Sequence, residues 1–242
     1  MPRLNVILTP GELQPERICD RAVAVFDVLR ATTTITAALA AGVGEIRIFD
    51  TIEGAAAAAG GHGGDCILAG ERNCLPPPGF DLGNSPGAFK AELHRDRIVF
   101  ISTTNGARAI VAAESAALLL TAALVNATAI ADRLMAAKLD ITLLCAGTAG
   151  QPAREDLLGA GAVIDALRLR LNVTLENDVA RIALNLFQSV RSELRSALAD
   201  TTGGQNILAV GLDADIDFAA RLDAIPIVGR VARGPLRVMI DR

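Results

Sequence analysis

The residues best suited to chemistry lie in the segment 26–34, where a carboxylate, a guanidinium and three hydroxyl groups follow an apolar run. Asp27 and Arg30 are three residues apart, and Thr32 and Thr33 follow closely. A carboxylate can hold a hard metal ion, and arginine binds phosphate oxygens through paired N–H donors. This segment therefore predicts a site for a metal ion and a phosphate group.

Polar groups of the same kind follow three further apolar runs. They are Glu71 and Arg72 after residues 66–70, Thr104, Asn105 and Gly106 after residues 97–102, and Glu155 and Asp156 in the segment after residues 141–145. In open α/β sheets, ligands bind at the carboxyl ends of the strands, where helix amides point at a bound anion. We therefore expect these four strand ends to meet at one anion site.

The elements that must position these residues are short strands alternating with helices. Apolar runs rich in β-branched residues predict strands at 22–26, 46–49, 66–70, 97–102 and 141–145. Helices are expected over 35–41, over an Ala-rich run ending at Gly60, over 107–114, from Glu155 towards Leu171, and from 177 or 178 to about 198. The pattern predicts an α/β fold with a largely parallel or mixed sheet flanked by helices on both faces.

The rest of the chain offers no clear linker. Residues 225–228 and 236–240 predict two further strands, joined by a turn at 233–235. We therefore expect one α/β catalytic unit over residues 1–242, with two similar lobes as the alternative arrangement.

Composition excludes several functional classes. The chain has 242 residues, a net charge of -4, seven Phe and neither Tyr nor Trp, which argues against a nucleic-acid partner and favours a small metabolite. The amino terminus does not resemble a signal peptide, and the weakly polar stretch 115–131 is better explained by a buried strand and a helix than by a membrane span. Four cysteines without metal spacing predict a cytoplasmic protein without disulfides. The oligomeric state stays open, and a homo-oligomer is compatible with the sequence.

Each motif also has a plain structural explanation. Thr32 or Thr33 could merely cap a helix, with Asp27 accepting backbone hydrogen bonds. Cys145 fits a small core residue, because no arginine follows at the spacing of a cysteine phosphatase. The acidic run 213–217 resembles an aspartyl-phosphate or calcium motif, but a helix N-terminus rich in Asp explains it.

Several ordered motifs together resemble the 2-phosphosulfolactate phosphatase family. They are residues 26–34, 70–72, 79–86, 103–106 and 145–147, followed by Glu155, Asp156 and residues 160–161. The match covers roughly residues 20–165. The resemblance implies an α/β fold of its own and an Mg²⁺-dependent acid phosphatase that hydrolyses 2-phospho-3-sulfolactate to 3-sulfolactate and phosphate, a step towards coenzyme M.

One departure concerns the loop over the substrate. The family pattern has a small Gly-containing turn after Glu-Arg, whereas here Asn73, Cys74 and Leu75 precede three prolines. This difference bears on which substrate binds more than on the phosphatase chemistry.

Strand-end position and the resemblance together suggest a role for each residue. Asp27, Glu155 and Asp156 are the expected Mg²⁺ ligands, since oxygen ligands without a nearby His favour Mg²⁺ over zinc. Arg30 and Arg72 are expected to bind phosphate or sulfonate, and the phosphate oxygens are expected to contact Thr32, Thr33, Thr104, Asn105 and Gly106. Glu71 is expected to position water or to protonate the leaving alkoxide. Asn84 and Ser85 are expected in a turn that lines the pocket. The alternative is a non-catalytic module that binds phosphorylated or sulfonated metabolites. Such a module has no use for several carboxylates beside its anion.

Overall fold

A single mixed sheet runs through the computed structural model, which describes residues 1–170 and 173–241. The strand order is β4-β5-β3-β10-β9-β6-β2-β7-β1-β8. The strands are β1 (Arg3–Ile7), β2 (Ala22–Phe26), β3 (Glu45–Phe49), β4 (Cys66–Gly70), β5 (Ile98–Ser102), β6 (Leu118–Ala122), β7 (Ile141–Cys145), β8 (Thr174–Leu175), β9 (Gly229–Ala232) and β10 (Arg237–Ile240).

Two sets of parallel strands make up most of this sheet. One set contains β6, β2, β7, β1 and β8, and the other contains β3, β5 and β4. The β9–β10 hairpin joins them through antiparallel pairing to β6 on one side and β3 on the other. Three antiparallel steps separate β6 from β3, so the two parallel sets run in opposite directions. The predicted α/β class with a mixed sheet is confirmed.

Helices cover both faces of the sheet. They are α1 (Ala31–Ala40), α2 (Ile52–Gly60), α3 (Ala91–His94), α4 (Gly106–Ala112), α5 (Ala127–Ala137), α6 (Arg154–Arg168), α7 (Asp178–Val190), α8 (Leu194–Ala199), α9 (Thr202–Ala209) and α10 (Asp213–Ala219). Strands β2, β6 and β7 are buried along their whole length, as continuous apolar runs require.

The core is divided by the sheet into two clusters. Successive residues of β7 show the division, since Leu143 belongs to the cluster under α5, α6 and α7 and Leu144 to the cluster under α1 and α4. This alternation follows from the two-residue period of a strand. The N-termini of α1 and α4 therefore lie on the same side of the sheet, where the polar strand ends can reach them.

Two predicted elements differ from the structure. The strand expected at 225–228 begins later, as β9, because Pro226 has no N–H and the amide of Ile225 bonds to the carbonyl of Val125 instead of a strand. The helix expected from 177 or 178 to about 198 is broken after Val190 by a 3₁₀ turn at Arg191–Glu193. Helix α6 ends at Arg168, and the expected end near Leu171 lies outside the described residues.

Two global observations bear on the setting of the protein. Among residues 1–170 and 173–241, no helix is both long enough and apolar enough to cross a membrane. The four cysteines, Cys19, Cys66, Cys74 and Cys145, are all free thiols.

Helices α6 and α7 pack so closely that one position tolerates only glycine. A Cβ atom added at Gly161 would collide with the carbonyl oxygen of Ala183 and would lie 2.7 Å from the Cβ of Phe187. We expect Gly161→Ala to lower the free energy of unfolding by about 1–3 kcal/mol, because α7 must move to admit the methyl group. Gly60→Ala is the matched control, since an added Cβ there meets nothing within 4 Å. Urea unfolding measures the free energy of unfolding of both variants. If Gly161→Ala were as stable as Gly60→Ala, the close packing of α6 on α7 would be contradicted.

Candidate active site

Residues that follow four different strands line one cavity of about 160 Å³. They come after β2, β4, β5 and β7, and further lining residues belong to the loop before α3 and to α9. The lining consists of Asp27, Leu29, Arg30, Glu71, Asn73, Cys74, Asn84, Thr104, Asn105, Thr148, Ala149, Gly203 and Asn206. The structure thus brings together the four polar strand ends, although β4 and β5 run opposite to β2 and β7.

The meeting point is the contact between the first turns of α1 and α4. A Cβ atom added at Gly106 would lie 2.5 Å from the Cβ of Ala31 and 2.7 Å from Oδ2 of Asp27. Only glycine fits between the two helices at this position. Gly106 is therefore needed for the close approach, whatever else its amide does.

Asp27 carries the carboxylate that links these two helices. It is 8% exposed, and its Oδ1 accepts a hydrogen bond from the amide of Ala31 at 3.1 Å. Burial, together with the nearby charges of Glu71 and Glu155, raises the pKa of Asp27 to about 6. The amides of Ala31 and Gly106 act in the opposite direction, because they stabilise the charged form. Asp27 is thus a carboxyl group poised near neutral pH.

Two more carboxyl groups lie behind it in the first turn of α6. Asp156 is 2% exposed, and its two oxygens accept hydrogen bonds from the amides of Val28 at 2.8 Å and Gly147 at 3.0 Å. Burial raises the pKa of Asp156 well above its ordinary value, and the charges of Asp27 and Glu155 add to this effect. Asp156 therefore ties the ends of β2 and β7 together.

Glu155 differs from Asp156 in having an oxygen without a partner. The side chain is 3% exposed, and its buried Oε2 has no hydrogen-bond partner among the described residues. Burial raises the pKa of Glu155, while its own amide, the hydroxyl of Thr201 and the amide of Gly203 lower it. A Cβ atom added at Gly203 would collide with Oε1. The first turn of α9 is thus held against this carboxylate.

Among the residues that the structure describes, Arg30 is the only cationic one in the lining of this cavity. Its guanidinium is 3% exposed and donates to Oδ2 of Asp215 at 2.5 Å, to Oγ of Ser85 at 3.1 Å and to the carbonyl of Cys74 at 2.5 Å. The peptide bond between Leu29 and Arg30 is cis. Because Asp215 balances the charge of Arg30, the site as a whole is negatively charged.

Glu71 joins the loops that follow β4 and β5. Its Oε1 accepts hydrogen bonds from the amide and the hydroxyl of Thr104 at 2.8 and 2.6 Å, and its Oε2 accepts one from the amide of Cys74 at 3.1 Å. The turn between Arg72 and Leu75 places both Asn73 and Cys74 at positive φ, the conformation of a type I′ turn. Glu71 therefore fixes the shape of the cavity wall as well as contributing charge.

Several predicted site residues do not point into the cavity. The hydroxyl of Thr32 bonds to the backbone of Asp27, and that of Thr33 donates to the carbonyl of Val28, with both side chains fully buried. Arg72 is exposed and lies 3.6 Å from Glu53 of α2. Their expected contacts with substrate have no counterpart in this arrangement, because the threonines support the backbone of the turn and Arg72 faces solvent.

Of the two residues predicted to form a turn lining the pocket, Asn84 lines the cavity and Ser85 does not. Ser85 donates to Asp215 at 2.7 Å and is absent from the cavity lining. Asn84 lines the cavity, is 3% exposed, and keeps a buried Oδ1 with no partner among the described residues. Cys145 is fully buried in the core, as expected, and burial raises the pKa of its thiol well above the ordinary value.

Sequence reasoning missed several groups at the site. The acidic run 213–217 does begin a helix, α10, but its middle member Asp215 also pairs with Arg30. A spacing rule could not have indicated this pairing, because 185 residues separate the two side chains. Cys74, Thr148, Gly203 and Asn206 also went unassigned, since each depends on how a distant loop or helix folds back.

A larger cavity of about 900 Å³ lies elsewhere, across β9 and β10. Two arginines of its lining have acidic neighbours, with Arg230 3.7 Å from Asp241 and Arg237 3.3 Å from Glu45, and a third, Arg233, donates to the backbone carbonyls of Glu114 and Ala116. None of the predicted site residues lines it. The smaller cavity is the candidate active site because the buried carboxylates, Arg30 and the helix N-termini converge there.

The chain is similar in sequence to a known family over almost its whole length. The sequence profile of a family described as 2-phosphosulpholactate phosphatase matches residues 7–234. A probable 2-phosphosulfolactate phosphatase of Synechococcus sp. strain JA-3-3Ab is 40% identical over 91% of this chain and 92% of its own. Proteins of the same description from Carboxydothermus hydrogenoformans and Deinococcus radiodurans are 35% and 38% identical, covering 99% and 96% of this chain and 98% and 94% of their own.

The raised pKa of Asp27 predicts a pH-dependent stability. Its value of about 6, against an ordinary 3.8, means that folding favours the protonated form. The stability contributed by protonated Asp27 is present below pH 3.8 and is lost as the pH rises through about 6. The difference corresponds to about 3 kcal/mol. In EDTA, wild type should therefore lose stability relative to Asp27→Asn between pH 4 and pH 7.5.

Urea unfolding at several pH values measures this difference. Asp217→Asn, at an exposed position of α10, is the control and should show no such trend relative to wild type. A stability difference between wild type and Asp27→Asn that stays constant across the range would contradict the raised pKa.

Proposed function

This chain belongs to the 2-phosphosulfolactate phosphatase family, and we propose that it hydrolyses a phosphorylated 2-hydroxy acid, 2-phospho-3-sulfolactate, to 3-sulfolactate and phosphate. The observation that carries the proposal is the charge of the site. Asp27 and Glu71 line the cavity, Glu155 lies behind its wall and close enough to raise the pKa of Asp27, and Arg30 of the lining is already paired with Asp215. A polyanionic phosphate ester can enter such a site only together with a cation.

Mg²⁺ is the cation that we propose, and the donor set fits it. Mg²⁺ is held in proteins by one or two carboxylates together with substrate phosphates and waters. Asp27 and Glu155 are the two best candidates, because Glu155 keeps an unpartnered buried oxygen. In the described parts of the chain, no three His, Cys, Asp or Glu side chains are grouped so as to hold a metal ion. Asp156 could therefore be a third ligand only if its hydrogen bonds with the amides of Val28 and Gly147 were broken.

The chain's own groups supply the remaining interactions. When bound, Mg²⁺ would neutralise charge on the phosphoryl oxygens. The amides of Ala31 and Gly106, in the first turns of α1 and α4, hold the carboxylate of Asp27 in place, and Thr104 and Asn105 line the cavity. Arg30 retains guanidinium N–H groups that can bind phosphate. These groups orient the ester for in-line attack.

Hydrolysis requires a water oxygen to bond to phosphorus while the bond from phosphorus to the ester oxygen breaks. The water loses a proton and the leaving alkoxide gains one. Glu71 is fixed by Thr104 and Cys74 at the cavity wall, a position suited to orienting the water or protonating the alkoxide. We assign this role to Glu71 rather than to the buried Asp156, which does not line the cavity. We also propose a cytoplasmic location, which the four free thiols support.

A non-catalytic binder of phosphorylated or sulfonated metabolites is the competing function. It would account for Arg30, but not for the buried carboxyl groups: burial raises the pKa values of Asp27, Glu155 and Asp156, and neighbouring carboxylates raise those of Asp27 and Asp156 as well. Phosphate binding in EDTA without phosphate release from any ester would favour the binder.

A phosphate-release screen tests the proposal directly. The esters are phosphosulfolactate, phospholactate, phosphoglycerate and phosphoglycolate, each with Mg²⁺ and with EDTA. We expect Mg²⁺-dependent release, fastest from phosphosulfolactate, and a loss of at least about a hundredfold in Asp27→Asn because both a ligand and the cap of two helices are weakened. Near-wild-type turnover of Asp27→Asn at saturating Mg²⁺ would contradict the metal assignment, and equal rates on all esters would contradict sulfonate specificity.

The two arginines predicted for the anion should behave differently. Arg72→Ala is expected to keep turnover within about threefold of wild type, because its side chain faces solvent beside Glu53. Arg30→Gln should reduce turnover by about a hundredfold or more, since it removes a buried donor to the phosphate. Steady-state kinetics with phosphosulfolactate compares them. Equal losses would show that Arg72 moves into the cavity when substrate binds.

A further inference from the structure

We propose that Asp215 is a positioning residue for Arg30, which orients the guanidinium and cancels its charge, so that the cavity does not retain phosphate in the absence of a metal ion. This inference rests on the proposed phosphatase function. Asp215 stands in the first turn of α10, far along the chain from the other site residues.

The contacts fix the guanidinium from three sides. Asp215 and Ser85 both accept from Nη1, and the carbonyl of Cys74 accepts from Nη2. The hydroxyl of Ser85 also donates to the same oxygen of Asp215 at 2.7 Å, so the three groups form a closed triangle. Side chains held in this way have little rotational freedom.

Part of the guanidinium remains free for substrate. Arginine has five N–H groups, and three of those on Arg30 have acceptors. Nε and the second hydrogen of Nη2 have no acceptor among residues 1–170 and 173–241. Arg30 also lines the cavity. Asp215 thus binds Nη1 of the guanidinium and leaves Nε and one hydrogen of Nη2 for a phosphoryl oxygen.

The charge of Asp215 matters because the pair is buried. Arg30 is 3% exposed and Asp215 is 5% exposed, so solvent screens neither of them. Without Asp215, Arg30 would lose the carboxylate in direct contact with it, the site would be one unit less negative, and Arg30 would attract an anion more strongly. With Asp215, the site is negative and binds phosphate only when a metal ion is also present. Product phosphate is then released more readily.

Helix α10 also offers a matched control. Asp217 is two residues further along, is 58% exposed, and pairs with Arg195 at the surface. Asp215→Asn and Asp217→Asn therefore remove the same charge from the same helix, and only one of them removes it from Arg30. The carboxamide of Asp215→Asn is close to the carboxylate in shape.

The experiment is calorimetric titration of inorganic phosphate into metal-free protein, followed by steady-state kinetics with Mg²⁺. For Asp215→Asn we expect metal-free phosphate affinity to rise about tenfold, with turnover about tenfold lower and KM not increased, because Arg30 holds phosphate more tightly but is less well oriented. Asp217→Asn should match wild type in both measurements.

A phosphate affinity of Asp215→Asn equal to that of Asp217→Asn would overturn the proposal, even if turnover falls, because a purely structural role lowers turnover alone. If Asp215→Asn does not fold, Ser85→Ala replaces it. This variant keeps both charges and should lower turnover at least about threefold without tightening phosphate binding, whereas wild-type turnover would overturn the proposal. If wild type releases phosphate from no ester, the proposed function fails, while the metal-free titration still tests Asp215.

Discussion

The site depends on the carboxylate of Asp27, which lies between the first turns of α1 and α4. One oxygen accepts the amide of Ala31, and the other lies beside Gly106. This contact joins the two oppositely directed strand sets of the sheet at the point where substrate would bind. It also places a buried negative charge near Glu71 and Glu155, which is unfavourable without a counter-ion. The same residue therefore links the two helices and carries the charge that the proposed Mg²⁺ would balance.

Charge balance distinguishes the two sides of the cavity. On one side, Arg30 and Asp215 cancel each other within a network that includes Ser85. On the other side, Glu155 keeps an oxygen with no partner among the described residues, while both oxygens of Asp156 accept hydrogen bonds from the amides of Val28 and Gly147. The uncompensated charge thus lies at Asp27 and Glu155. A divalent cation there would convert a cavity that repels phosphate esters into one that binds them.

The sequence predicted the local elements better than their arrangement. Strands at 22–26, 66–70 and 141–145 were placed correctly, because each is a continuous apolar run with polar residues after it. The reversal of direction across β9 and β10 was not predicted. The apolar residues 225–228 predict a strand that in fact begins later, and the sequence of a strand does not indicate which distant strand it pairs with. The convergence of Asp27, Glu71 and Thr104 was predicted, but not the engagement of Thr32 and Thr33 with backbone or the pairing of Arg30 with Asp215.

The proposed divalent cation would take the place of the proton that Asp27 binds, in the metal-free protein, as the pH falls through about 6. Titration calorimetry of Mg²⁺ in buffers of different ionisation enthalpy measures the protons released on binding. With a pKa of about 6 for Asp27, Mg²⁺ should displace protons at pH 6 and almost none at pH 8. Binding without proton release at pH 6, or no binding at either pH, would contradict Mg²⁺ binding at Asp27.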